Sequence, residues 1–142
     1  MRLEEVTHRV KDDDVRSVLA ELAWNGPEHL ASIVRSFSDG PRLFASYRGG
    51  KVVGVIGIDA SGRDAGVITQ IAVAPDNRHL GIGRSMIDAV MSSLSLRVLQ
   101  AETDDDGVGF YRACGFQVRS LGEKYPGVKR YVCERRGVEP TN

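Results

Sequence analysis

Cysteine is scarce in this 142-residue chain, with Cys114 and Cys133 the only two. Two thiols make no disulfide framework, so the fold must hold without staples, and reduced, packed thiols are expected. An excess of one charge is lacking too. Lys and Arg together number 19, and so do Asp and Glu. That balance gives nucleic acid no electrostatic reason to bind and offers no polybasic stretch to a membrane surface. No apolar run approaches the length of a membrane-spanning helix. Met1-Arg2-Leu3-Glu4-Glu5 is charged with no apolar stretch behind it, so no signal peptide is expected and the expected location is the cytoplasm. His8, His29 and His79 stand at no ligand spacing to each other or to the cysteines, which argues against a metal.

What is present is an ordinary globular composition, 42% hydrophobic and 27% charged, in a chain long enough for one domain with its own core. Residues 1–142 are read as that domain, with 137–142 as a fraying tail. Leu3 to Thr7 suits a short strand. Behind the acidic Asp12-Asp13-Asp14, the residues Val15, Val18, Leu19 and Leu22 recur at helical spacing. Pro27 opens a second helix with Leu30, Ile33, Val34 and Phe37 as its stripe. Then the period changes. Leu43–Tyr47 and Val52–Ile58 read as a hairpin through Gly49-Gly50. Gly66–Val73 is a third strand, apolar on both faces and therefore placed centrally. A loop over Ala74–Leu80 leads to a helix carrying Ile82, Met86, Ile87, Val90, Met91 and Leu94. Leu96–Ala101 is a strand, Gly107–Cys114 a short helix stopped by Gly115, and Phe116–Ser120 with Lys129–Cys133 a final strand pair. The class is mixed α/β.

The most informative stretch runs from Ile71-Ala72-Val73 through Arg78-His79-Leu80-Gly81-Ile82-Gly83-Arg84. A buried strand ends, a polar loop follows, and two glycines alternate at the start of an amphipathic helix. Free N–H groups and the helix dipole favour an anion there, and glycine lets a bulky phosphate come close. Arg78 and Arg84 flank the spot with charged donors. The same glycines would also serve a bare strand-to-helix turn. A dinucleotide fingerprint would need a third glycine where Met86 stands, and a Walker loop would need Gly-Lys-Ser/Thr, which the chain lacks.

Arg78-x-x-Gly81-x-Gly83, placed after Ile71-Ala72-Val73 and Pro75, resembles the Arg/Gln-x-x-Gly-x-Gly/Ala motif of the GNAT acetyltransferases. Phe110-Tyr111-Arg112-Ala113-Cys114-Gly115-Phe116 resembles that family's Phe-Tyr-x-x-x-Gly-Phe signature, and the element order is similar. The resemblance implies the GNAT-like acyl-CoA N-acyltransferase fold, a mixed, mostly antiparallel sheet flanked by helices. It implies acetyl-CoA as co-substrate and no metal, with acetyl transfer to an amine by direct attack. The strand of Ile71 and Val73 would bulge and splay from its neighbour, and its backbone would pair with the pantetheine arm. Arg78, His79, Gly81, Gly83 and Arg84 would hold the diphosphate end. Tyr111 would protonate the leaving thiolate, unless it is only an aromatic anchor for its helix.

Two departures stand out. The family often has Asn before Phe-Tyr, where this chain has Thr103-Asp104-Asp105-Asp106. These aspartates are expected to cap the helix. The histone-type relatives carry a catalytic glutamate where Val67 stands, so no general base is assigned among Asp59, Gln70, His79 and Glu102. Cys114 is expected to be packing, not a nucleophile. In this fold the acceptor is usually walled by the segment between the first two helices, here Trp24-Asn25-Gly26-Pro27-Glu28. Trp24 is a pocket wall or a core residue. The expected acceptor is a small amine. The alternatives are a lysine-type amine on a protein, or a CoA-binding module without turnover. A homodimer stays open.

Overall fold

A computed structural model describes residues 2–137; the expected frayed tail from Val138 onward lies outside the described residues. Gly137, the last described residue, donates its N–H to the Arg97 carbonyl at 2.7 Å. The elements run β1 (Arg2–Glu5), α1 (Asp13–Leu19), α2 (Pro27–Ser36), β2 (Arg42–Arg48), β3 (Lys51–Gly62), β4 (Ala65–Val73), α3 (Ile82–Ser93), β5 (Val98–Thr103), α4 (Val108–Ala113), β6 (Gln117–Tyr125) and β7 (Val128–Arg136). One sheet holds all the strands in the order β1-β2-β3-β4-β5-β7-β6. Among the described residues only β4 and β5 pair in parallel, joined by a crossover through α3.

The helices form because their apolar residues share a face. Val15, Val18 and Leu19 of α1 and Ile33 and Val34 of α2 bury against Leu43, Ala45, Val55 and Ala72 on one side of the sheet. Met86, Ile87 and Val90 of α3 bury with Ile56, Ile58 and Leu99 on the other. Each such fully buried side chain contributes roughly 1.5–3 kcal/mol.

The expectation that β4 is central holds, but its burial on both faces does not. Val67 is 44% exposed, and Thr69 is exposed as well. Helices α1 and α2 cover that face only as far along β4 as Ala72, so its far half is open. The last two strands run longer than their hydrophobic pattern suggested, because nearly all of β6 is exposed and carries no apolar alternation.

Two irregularities shape the centre of the sheet. Gly57 faces Gln70 and Ile58 faces Ile68, which leaves Thr69 unpaired as a β-bulge in β4. The parallel pairing of β4 with β5 covers Ala65–Val67 against Val98–Gln100 and goes no further. Beyond Val67 the two strands part. No helix among the described residues is long and apolar enough to cross a membrane.

Candidate active site

The gap between β4 and β5 exposes backbone. Ala74 donates its N–H to the Val53 carbonyl at 2.8 Å, toward β3. Strand alternation therefore turns the N–H and C=O groups of Val73 and Ile71 the other way, toward the gap. An extended ligand could add to that edge as a strand would.

The loop after β4 makes a 3-10 turn at Pro75–Asn77 and delivers the chain to α3. Gly81, the residue before that helix, has φ 77° and nothing near its α-carbon that a side chain would strike. Its glycine is required by conformation. At Gly83 the constraint is space: a β-carbon there would lie 2.7 Å from the Phe110 ring, which would have to shift to admit it. Thus each glycine has a structural reason, and the two reasons differ. No side chain caps the first turn of α3, and Gly81, Ile82, Gly83 and Arg84 all line a cleft of about 730 Å³. Uncapped N–H groups at the start of a twelve-residue helix are suited to an anion. Arg84 lies on that turn and donates to the Ala113 carbonyl at 3.2 Å.

Tyr111 is buried on α4, with its ring edge-to-face against Phe110 and Phe116 at centroid distances of 5.1 Å each. Its hydroxyl makes no hydrogen bond among the described residues, and the ring lines the same cleft. Burial pushes the phenol well above its ordinary pKa, with the neighbouring Cys133 and Cys114 thiols adding to the effect. The hydroxyl therefore keeps its proton and can act as a donor, on a residue that lines the cleft.

Every residue singled out in the sequence, namely Ile71, Val73, Arg78, His79, Gly81, Gly83, Arg84 and Tyr111, lines this one cleft. The sequence reading missed Leu22, Asn77, Thr103 and Gly107, which also line it, and gave Phe110 no role. Phe110 was detectable beside Tyr111. Leu22 ends the buried stripe expected of the first helix, but α1 stops at Leu19 and a 3-10 turn at Ala20–Leu22 turns it to the cleft instead.

The other candidates sort clearly. Asp104 accepts from the N–H groups of Asp106 and Gly107 at 3.0 and 3.1 Å, which closes the turn ahead of α4; the helix itself, with Gly107 before its first residue, has no side-chain cap, so the expected capping by the aspartates is not found. Asp105 accepts instead from the Tyr131 hydroxyl at 2.6 Å. Glu102 pairs with Lys124 and Arg130, which hold its carboxyl below the usual range. Asp59 is likewise held down by hydrogen bonds from Ser61. Neither suits a base that must take a proton near neutrality. Cys114 is buried, and burial pushes its thiol up, away from a nucleophile's range. Trp24 is no core residue: it is 82% exposed, its ring edge-on to His29 at 5.6 Å. The short linker between α1 and α2 leaves it nothing to bury against.

A parallel strand pair that parts half-way, beside an uncapped helix start, is the arrangement of the acyl-CoA N-acyltransferase fold. Residues 39–118 match the acetyltransferase (GNAT) domain, more than half of the sequence, and the chain belongs to that family. Its fold is similar to that of a protein from Desulfovibrio desulfuricans assigned as a GNAT acetyltransferase, at 18% identity and TM-score 0.79, over 95% of this chain and 98% of that one. It is also similar to an aminoglycoside 6′-N-acetyltransferase complexed with coenzyme A, at 13% identity and TM-score 0.76, over the whole of both chains. A Bacillus subtilis acetyltransferase in complex with CoA aligns at 15% identity and TM-score 0.71, over 96% of this chain and 99% of that one. At these identities the likeness is one of fold. No protein of curated function matches the sequence.

Proposed function

We propose that the chain is an acetyl-CoA-dependent N-acetyltransferase acting on a small amine by direct attack. The observation that carries this reading is the open β4 edge at Ile71 and Val73, which leads in one continuous cleft from the uncapped start of α3 to Tyr111. A diphosphate fits the N–H groups of Gly81 to Arg84. A pantetheine arm, which carries amides, fits the edge of β4. That arrangement puts the thioester end near the bulged part of β4. The coenzyme A complexes of two proteins of similar fold support the same co-substrate.

The thioester supplies an activated acetyl carbon. A backbone N–H of the open edge can stabilise the oxyanion that forms as the amine nitrogen attacks it. The C–S bond then breaks, and Tyr111 meets the departing sulfur as a hydrogen-bond donor and proton source. Because its pKa is raised, hydrogen bonding to the thiolate is its first contribution and complete proton transfer its second. The amine must arrive neutral, and water takes the proton it loses after attack, since neither Glu102 nor Asp59 lines the cleft. Buried, unpaired Cys114 and Cys133 suit a reducing cytoplasmic setting.

The test has two arms. Acetyl-CoA should raise the melting temperature of the protein, and a panel of small amines should yield CoA and the N-acetyl product. Stabilisation without turnover on any amine would favour a binding module. Turnover on a protein lysine alone would reject the small acceptor.

A further inference from the structure

Arg78, the first residue of the loop motif, is already engaged. Its Nη2 donates to Glu21 Oε1 at 3.0 Å, and its Nε donates to the Val73 carbonyl at 3.3 Å. Glu21 lies 57 positions away in the sequence, in the 3-10 turn that begins the linker between α1 and α2. Its neighbour Leu22 lines the cleft. The ion pair therefore straps that linker to the loop where an anion would bind. Both partners are partly exposed, Arg78 at 49% and Glu21 at 34%, and pairs of this kind shift an equilibrium only about two- to fivefold. A diphosphate at the start of α3 brings more negative charge than one carboxylate and can engage a guanidinium bidentately. It would outcompete Glu21.

We propose that Glu21 is a positioning residue. It holds Arg78 while the loop is empty, and the cofactor diphosphate takes Arg78 over and releases the linker that carries Trp24. The inference rests on the acetyl-CoA reading of the cleft. Coupling of this kind is reciprocal. Whatever the diphosphate spends in breaking the bridge is returned when Glu21 is removed, so that variant binds the cofactor more tightly.

Trp24 is the only tryptophan in the chain and sits on the strapped linker, so its emission anisotropy reports the linker alone. The wild type and Glu21→Gln are titrated with acetyl-CoA at low salt, by anisotropy and by calorimetry. In the wild type, acetyl-CoA lowers the Trp24 anisotropy. In Glu21→Gln the anisotropy starts low and the titration barely moves it, while Kd falls about two- to fivefold. In an Arg78→Gln background, Glu21→Gln no longer alters Kd. A bridge with a purely structural role would lower the melting temperature and leave Kd alone. Equal or weaker binding by Glu21→Gln, or a flat Trp24 signal in a wild type that binds acetyl-CoA, overturns this inference alone. No binding of acetyl-CoA by either protein overturns the acetyl-CoA reading, and this inference with it.

Discussion

The α-carbon of Gly83 lies against the ring of Phe110, so close that a β-carbon built there would sit 2.7 Å from one ring atom and 2.9 Å from another. The first turn of α3 and the helix that bears Tyr111 are thus in direct contact at the cleft. Phe110 is 38% exposed, so its ring can swing aside. Gly83→Ala should therefore cost less than the roughly 1–3 kcal/mol usual for overpacking a closed core, and weaken acetyl-CoA binding through the displaced ring. Phe110→Leu should recover part of that stability in the Gly83→Ala background. Denaturant unfolding of the four proteins in the cycle measures the coupling, and strictly additive effects would refute the contact.

Gly81 allows a cleaner separation of backbone from charge. Its φ of 77° is left-handed, and the space around it is open. Asn and Asp tolerate that region about equally, so Gly81→Asn and Gly81→Asp should lose similar stability. Only the aspartate puts an anion where the diphosphate is expected. The rise in melting temperature with acetyl-CoA should persist in Gly81→Asn and vanish in Gly81→Asp. Equal rises in both would move the diphosphate away from this turn.

These two glycines also show how far the sequence can be read. Their spacing before an amphipathic helix was visible, and so was the anion-binding start it implies. The need for Gly83 was not, because Phe110 reaches it from twenty-seven positions down the chain (110 − 83 = 27) through the packing of α4. The element order was legible because hydrophobic period switches from helix to strand at Leu43 and back at Ile82. The bulge at Thr69 and the parting of β4 from β5 came from family resemblance alone, since no local residue pattern encodes a register shift. Of the two readings of Trp24, pocket wall or core residue, its exposure excludes the core one: residue type predicts average burial, but a linker this short cannot fold back over an indole.

The buried thiols and phenol set an alkaline limit on stability. Burial raises the pKa of Cys114, Cys133 and Tyr111 in the folded state. Below about pH 8.5 a thiol keeps its proton whether folded or unfolded. Above that the unfolded chain loses protons first, so stability falls as pH rises, and it falls more steeply beyond about pH 10 when the unfolded phenol also ionises. Denaturant unfolding between pH 8 and 10 should show this slope, and Cys114→Ala with Cys133→Ala should flatten it whatever their cost at neutral pH. On the acid side the sign reverses. Glu5 is held low chiefly by its hydrogen bond from Arg42, and Glu102 by those from Lys124 and Arg130. Their contribution is present above about pH 4.3 and is lost as pH falls through their depressed folded values. Glu102→Gln should weaken that acid dependence.

Tyr111→Phe isolates the hydroxyl. The ring is held edge-to-face by Phe110 and Phe116, and those contacts survive the change. The hydroxyl has no hydrogen-bond partner among the described residues, so its removal loses no bond and should leave both stability and acetyl-CoA affinity nearly unaltered. If the phenol assists the leaving sulfur, kcat should fall roughly ten- to a thousandfold. The pH profile adds a second readout. Because burial keeps Tyr111 protonated, the rate should rise with pH as the acceptor amine loses its proton, with no loss up to pH 10 from ionisation of the phenol. The variant should keep that rising limb at a lower rate, since the limb belongs to the amine. Full activity in Tyr111→Phe across the pH range would leave Tyr111 a packing aromatic and return the task of protonating the thiolate to water.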